Sequence, residues 1–163
     1  MFLRPVTLLT LAAAILAAFG CAKSTDDHAG HNHAAAKHEH KAPHGGTPVV
    51  LGAEVYHLEL VRDPAAGRLT AYVLDGEMEN FIRVKAPSFT VAVGGGAAKR
   101  TLTFRAIANS ATGETVGDTS QFEAEADWLK SEGSFDATLA ALEIRGTKFE
   151  NVAFNFPKGN DKD

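Results

Sequence analysis

The sequence predicts an all-β fold, an antiparallel immunoglobulin-like β-sandwich of about seven to nine short strands behind a disordered histidine-rich linker. Short stretches of alternating apolar and polar residues recur after residue 44, with turn residues between them about every 8–12 residues. No segment carries a long apolar stripe at the helical spacing of about 3.6 residues. All seven histidines lie before this β-rich part or on its first two strands.

Residues 1–20 have the features of a bacterial secretory signal. Arg4 gives a positive start, and Val6–Phe19 is uncharged, rich in Leu and Ala, and shorter than the roughly 20 residues that a membrane-spanning helix needs. The end of this run, Gly20-Cys21, resembles a bacterial lipobox, although Ala18 stands where Leu is usual. The resemblance implies that Cys21 is lipidated and, because Ala22-Lys23 lacks a retaining Asp, that the anchor lies in the outer membrane, facing the periplasm. The alternative is ordinary signal cleavage, with Cys21 free or removed.

Residues 21–43 are predicted to form a disordered linker, because a segment made mostly of Ala, His, Lys, Asp and Gly buries too little apolar surface to offset its ordering entropy. Near pH 7 most imidazoles are neutral and can donate a lone pair to a metal ion, since their ordinary pKa is about 6.5. Zinc, copper and nickel are the divalent metals that imidazole suits. We therefore expect several loose metal sites here, unless the segment is only a pH-responsive spacer. The predicted metal ligands are His28, His31, His33, His38, His40, His44 and His57.

Composition and motif spacing exclude several classes of function. The net charge is −4, which argues against a nucleic-acid partner because nucleic acids require a basic face. A single cysteine excludes an internal disulfide and a multi-cysteine zinc site. The His-Glu-x-x-His spacing of zinc proteases is absent, and the chain after His57 has no histidine with which to build a copper–zinc dismutase-like centre. The sequence therefore predicts no enzyme and no catalytic residue.

The domain, predicted over residues 44–157, begins after the turn at Gly45-Gly46. The predicted strands are Thr47–Leu51, Glu54–Arg62, Arg68–Asp75, Phe81–Lys85, Ser88–Val93, Arg100–Ile107, Thr119–Ala126, Leu139–Arg145 and Lys148–Phe156. A hairpin joins the second and third strands, and another joins the last two. Asn109–Asp118 is a predicted loop, Asp127–Ser131 a helical turn, and residues 158–163 a disordered, frayed tail. Seven phenylalanines are predicted core residues: Phe89, Phe104, Phe122, Phe135, Phe149, Phe154 and Phe156.

The second predicted strand places His57 and Glu59 on one face, because side chains two residues apart point to the same side of a strand. His44 enters the fold just before it. These residues suggest a fixed His44/His57 metal site completed by Glu59, Glu54 or Asp75; alternatively, His57 is a structural strand residue and His44 caps a turn. The segment Asp75–Glu79, which includes Glu77 and Met78, offers a second cation site, although an acidic hairpin turn is the favoured interpretation.

The residues His44-Gly45-Gly46, the strand Tyr56–Val61 and the pair Leu74-Asp75 resemble a small bacterial envelope module. That module occurs in stand-alone lipoproteins and at the start of periplasmic adaptor subunits of heavy-metal efflux pumps. The resemblance covers residues 44–75 and implies periplasmic association with metal. The chain lacks the coiled coil and the lipoyl-like part that follow the module in the adaptors.

These observations predict an envelope lipoprotein that binds a divalent transition metal (zinc, copper or nickel) for buffering or delivery, linked to metal efflux or homeostasis. Its expected partners are the membrane, through the lipid on Cys21, and a metal efflux system. The alternative is a structural or protein-interaction β-sandwich lipoprotein in which the histidine-rich segment is a spacer.

Overall fold

Eight antiparallel strands make up the fold of the part of the chain that the structure describes. The computed structural model describes residues 41–96 and 99–161. The predicted signal, Cys21 and the histidines from His28 to His40 lie outside these residues. The strands are β1 Thr47–Leu51, β2 Tyr56–Asp63, β3 Arg68–Asp75, β4 Ser88–Val93, β5 Arg100–Ala106, β6 Gln121–Glu125, β7 Phe135–Ile144 and β8 Thr147–Phe156, with a 3-10 helix at Asp127–Lys130.

The strands form one continuous sheet in the order β1-β2-β3-β6-β5-β4-β7-β8. The antiparallel all-β class and both predicted hairpins are confirmed. The arrangement differs from an immunoglobulin-like sandwich, because the strands are not divided into two separate sheets. Apolar alternation reports which face of a strand is buried, but it does not report which strands pair across long connections. The pairings of β3 with β6 and of β4 with β7 hold the sheet together as one.

The two outer strands of the order, β1 and β8, lie next to each other and are joined by the residues that follow β8. Asn160 accepts a hydrogen bond from the backbone N–H of Val50 through Oδ1 (2.7 Å) and donates one through Nδ2 to the Val50 carbonyl oxygen (3.1 Å). The Thr47 hydroxyl donates to the Pro157 carbonyl oxygen (3.2 Å). The sheet is therefore nearly a barrel, and residues 158–160 of the expected frayed tail are instead held against β1.

The core is apolar and lies on one face of the sheet. All seven predicted phenylalanines belong to it, which confirms that expectation. On β2, Leu58 and Leu60 face this core, and on β3, Leu69, Ala71 and Val73 do. The opposite faces of these two strands therefore carry His57, Glu59, Tyr72 and Leu74.

Two short segments differ in form from the prediction. Phe81–Lys85 is not a strand but makes two isolated bridges, Phe81 with Leu74 and Val84 with Thr119. The predicted strand Leu139–Arg145 begins earlier, at Phe135, where it continues along β8. The helical turn is confirmed as the 3-10 helix, and Asn109–Asp118 is a loop as expected, containing two isolated bridges.

Candidate metal centre

The carboxylate of Glu59 is the fixed point of the candidate site. It is fully buried on β2, on the face away from the core, directly opposite Tyr72 of β3. Its Oε1 accepts hydrogen bonds from the backbone N–H groups of His44 (2.7 Å) and Gly46 (2.9 Å). Its Oε2 lies 2.8 Å from Nδ1 of His44. One buried carboxylate thus accepts hydrogen bonds from two backbone N–H groups and contacts the His44 ring in the segment that leads into β1.

The imidazole of His44 is held in one orientation by three neighbours. Because a carboxylate accepts hydrogen bonds, Nδ1 carries the proton and Nε2 carries the lone pair. The ring stacks on Tyr72, with centroids 4.0 Å apart and planes 16° from parallel, and Phe81 packs nearby at 5.8 Å. Metal-binding histidines almost always donate their other ring N–H to a carboxylate or a carbonyl in this manner. His44 therefore has the geometry of a metal ligand with its supporting carboxylate already in place.

Two glycines allow His44 to reach Glu59. Gly45 has a φ of +67°, in the left-handed region that glycine adopts without strain, and its N–H donates to the Ala42 carbonyl oxygen (3.0 Å). Gly46 passes so close to β2 that a Cβ there would lie 2.6 Å from the Leu60 carbonyl oxygen and 2.8 Å from Cγ of Glu59. The His-Gly-Gly sequence thus has a structural explanation: Gly45 forms the turn, and Gly46 allows the chain to pass close to β2.

His57 is placed apart from this arrangement. It is 1% exposed, and its Nδ1 lies 3.3 Å from the backbone carbonyl oxygen of Asp75. Among the described residues, no group of three or more His, Cys, Asp or Glu side chains is placed to hold a metal ion. The structure therefore brings His44 to Glu59 and His57 to the backbone of Asp75, and a shared His44/His57 site stays a prediction.

The acidic segment after β3 is organised as a turn around Asp75. Its Oδ1 accepts from the N–H groups of Glu79 (2.9 Å) and Asn80 (3.2 Å), and its Oδ2 accepts from Nδ2 of Asn80 (2.6 Å). Burial acts to raise the pKa of Asp75, but these hydrogen bonds, together with the charge of His57, outweigh it and lower that pKa. Met78 is 2% exposed. The geometry agrees with the simpler interpretation of Asp75–Glu79 as a hairpin turn.

An open pocket of about 300 Å³ lies beside His44. Loop residues supply its far side, where Glu114 and Ser120 are both buried. Burial acts to raise the pKa of Glu114, but hydrogen bonds from Ser120 and Thr112, together with the charge of Arg83, lower it. The pocket is lined by His44, Tyr72, Phe81, Asn109, Thr112, Glu114, Ser120 and Gln121.

Several polar atoms on the pocket wall have no hydrogen-bond partner among the residues that the structure describes. They are Nε2 of His44, the hydroxyl of Tyr72, Nδ2 of Asn109 and Oε1 of Gln121. Burial raises the pKa of Tyr72, and the negative charges of Glu123 and Glu59 raise it further, so the phenol keeps its proton at neutral pH. The pocket thus presents both donors and acceptors.

Sequence reasoning singled out His44 and Glu59 but missed the loop side of the pocket. Asn109, Thr112 and Glu114 lie in a stretch that reads only as a polar loop, Ser120 immediately precedes β6, and Gln121 is its first residue. Their approach to His44 depends on the pairing of β3 with β6, in which Tyr72 stands opposite Gln121. No local pattern in the sequence signals that pairing.

No protein-family model, curated protein or solved structure matches the chain. The resemblance to the efflux-adaptor module therefore rests on its own residues. Within residues 41–96 and 99–161, no helix is both long enough and apolar enough to cross a membrane.

Proposed function

We propose that this protein binds a divalent transition metal (zinc, copper or nickel) at the bacterial cell envelope, for buffering or for delivery to an efflux or homeostasis system. The observation that carries the proposal is the His44–Glu59 pair, in which a buried carboxylate fixes the proton on Nδ1 and leaves Nε2 to donate. His44 also stands where the histidine-rich segment reaches the fold. In this proposal the five histidines from His28 to His40 gather metal, and His44, which follows them in the sequence, is the ordered ligand.

The chemistry of the ligands supports a borderline metal and argues against a hard one. Imidazole suits zinc, copper and nickel, whereas magnesium and calcium prefer oxygen ligands. A flexible set of imidazoles follows the general affinity order, with copper(II) bound most tightly. The role is therefore metal binding without catalysis, with selectivity among these ions set by availability as much as by the site.

Calorimetric titration of the chain with zinc, copper(II) and nickel tests the proposal. We expect more than one equivalent to bind, with a dissociation constant below roughly 10 µM, equivalent to about −7 kcal/mol. Deleting Asp27–His40 removes most of the bound metal and leaves the melting temperature nearly unchanged. Failure of the intact chain to bind any of the three ions in this range would contradict the proposal and favour the structural or protein-interaction alternative.

The variants His44→Phe and His57→Phe, made in the deletion protein, separate the ordered ligands. His44→Phe keeps an aromatic ring against Tyr72 and removes the lone pair, so we expect the residual metal binding to be lost. If a shared His44/His57 site exists, both variants lose it. Unchanged residual binding in His44→Phe would rule out His44 as a ligand.

The envelope location is tested at Cys21. If the lipobox resemblance holds, cells fed a labelled fatty acid transfer the label to the chain, and Cys21→Ser abolishes the transfer. Fractionation then places the lipidated chain in the outer membrane. A chain that is exported without label would instead support ordinary signal cleavage.

A further inference from the structure

We propose that the His44 pocket takes the metal together with a small amino-acid ligand, as the one-to-one complex of a divalent transition metal with an α-amino acid. This inference rests on the proposed function and assigns a ligand class to the pocket described above. The juxtaposition that carries it is one oriented imidazole, His44, beside a pocket of about 300 Å³ lined mostly by polar side chains.

The number of ligands on the protein side points to a metal that arrives with other donors. Zinc and copper sites in proteins use three or four donors. The described residues offer one oriented imidazole, and no third His, Cys, Asp or Glu side chain completes a set around it. A lone imidazole binds a bare ion weakly. A metal whose other positions are filled by an amino nitrogen and a carboxylate oxygen needs only one more strong donor, which Nε2 of His44 supplies by displacing a water.

The pocket has room for a small co-ligand beside an ion bound at His44, since about 300 Å³ is far more than the roughly 10–15 Å³ that one water requires on the same measure. The amide Nδ2 of Asn109 and the Tyr72 hydroxyl are donors suited to a carboxylate oxygen, and Oε1 of Gln121 is an acceptor suited to an amine.

The carboxylates around the pocket outnumber the basic side chains. Glu114 lines it, Glu59 lies behind His44, and Glu123 acts on Tyr72. Two arginines pair with them: Arg83 lies 3.9 Å from Glu114 and 3.0 Å from Asp118, and Arg68 lies 3.9 Å from Glu123 and 3.1 Å from Asp63. A divalent metal with one amino-acid anion keeps a single positive charge, whereas the complex with two such anions is neutral. The pocket should therefore prefer the one-to-one complex.

The remaining metal ligands could come from a free amino acid or from the chain's own histidine-rich segment, and the experiment separates these two sources. It uses the full chain in which His28, His31, His33, His38 and His40 are changed to alanine. This variant is titrated with copper(II) alone and with copper(II) plus one equivalent of isotope-labelled glycine. We expect one copper and one glycine to be retained together, with a copper EPR spectrum that shows one imidazole nitrogen and one amine nitrogen, the second changing when ¹⁵N-glycine is used.

Variants assign the binding to this pocket. His44→Phe should abolish retention of copper–glycine while thermal unfolding shows that the fold is kept. Tyr72→Phe should weaken it several-fold, whereas the matched Tyr56→Phe, which removes a hydroxyl next to Phe149 on the core side, should not. Glu59→Gln should weaken it by about 10- to 100-fold, as loss of a supporting carboxylate usually does.

The outcomes are distinct. Binding of copper with release of glycine overturns the inference, as does loss of all binding once the five histidines are removed, which would assign the second donor set to the chain itself. Retention that survives His44→Phe also overturns it. If the wild-type chain, with all its histidines, binds none of the three metals with or without glycine, the proposed function is wrong. That result is distinct from one in which the chain binds copper but not glycine.

Discussion

Glu59 and His44 are joined at both the backbone and the side chain, with the Glu59 carboxylate 2.7 Å from the His44 nitrogen and 2.8 Å from its Nδ1. Glu59 is completely buried, whereas the His44 side chain is 38% exposed. One partner is therefore part of the folded scaffold, and the other reaches from it toward solvent. This asymmetry makes Glu59 the residue that positions His44, and it is the basis for proposing His44 as the group that meets a ligand.

Glu59→Gln should reverse the tautomer of His44. The two backbone N–H donors at Oε1 require an acceptor, so the glutamine places its oxygen there and its NH₂ group against Nδ1 of His44. Nδ1 then accepts, and the proton moves to Nε2. At pH 9, well above the ordinary imidazole pKa of about 6.5, ¹⁵N chemical shifts of the ring distinguish the two tautomers. Identical shifts in the wild type and the variant would contradict the hydrogen-bond assignment.

Gly46→Ala should destabilise the fold more than Gly45→Ala. A Cβ at Gly46 meets the backbone of β2 and the side chain of Glu59, and such overpacking costs about 1–3 kcal/mol in addition to disturbing His44. At Gly45 nothing lies within 4 Å of a Cβ, so only the left-handed backbone is strained, at about 1 kcal/mol. Urea unfolding measures both. Equal losses would show that the close approach of Gly46 is relieved by movement of the chain.

Glu114 should steepen the loss of stability in acid. Its pKa in the folded protein is lowered, so its contribution is fully present above the unfolded value of about 4.3 and is lost as the pH falls through the lower folded value. Wild type should therefore lose more stability between pH 5 and pH 3 than Glu114→Gln. Denaturant midpoints at the two pH values measure the difference. Glu125→Gln, a change at an exposed carboxylate on β6, is the control and should follow wild type.

Asn160→Ala should loosen the junction of β1 with β8. The change removes both hydrogen bonds to Val50, each worth about 0.5–1.5 kcal/mol, so we expect a loss of about 1–3 kcal/mol in the free energy of unfolding. The amide hydrogen of Val50 should also exchange faster. Lys158→Ala, at an exposed neighbouring position, is the control. Unchanged exchange at Val50 in Asn160→Ala would mean that water replaces the side-chain amide without cost.

The part of the fold that sequence reasoning recovered is the part governed by local periodicity. The alternation in β2 placed Leu58 and Leu60 on the core side and paired His57 with Glu59 on the other, as the structure confirms. The single sheet was missed because pairing between β3 and β6 is not recorded in the alternation of either strand. The ordered residues after β8 were missed because a short polar tail with Gly159 and Asn160 looks unstructured until its partner strand is known.

The candidate site was likewise predicted only in part. His44 and Glu59 could be identified from the sequence because a histidine and a carboxylate on adjoining elements are typical metal ligands. Their roles were not, since only the buried hydrogen bonds show that Glu59 supports and His44 faces outward. The loop side of the pocket, with Asn109 and Glu114, has no sequence signal because it is defined by long-range packing.

The contacts before β1 also form a mechanical joint. A pulling force applied to the chain at Lys41 reaches the bonds of His44 and Gly46 to Glu59 before it reaches the first strand. Behind them, β1 is held along one edge by β2 and at Val50 on its other edge by Asn160. Load on the N-terminal segment would thus act first on His44, the candidate metal ligand, and on Gly46. Tension there would change the orientation of the His44 ring before it separated β1 from β2.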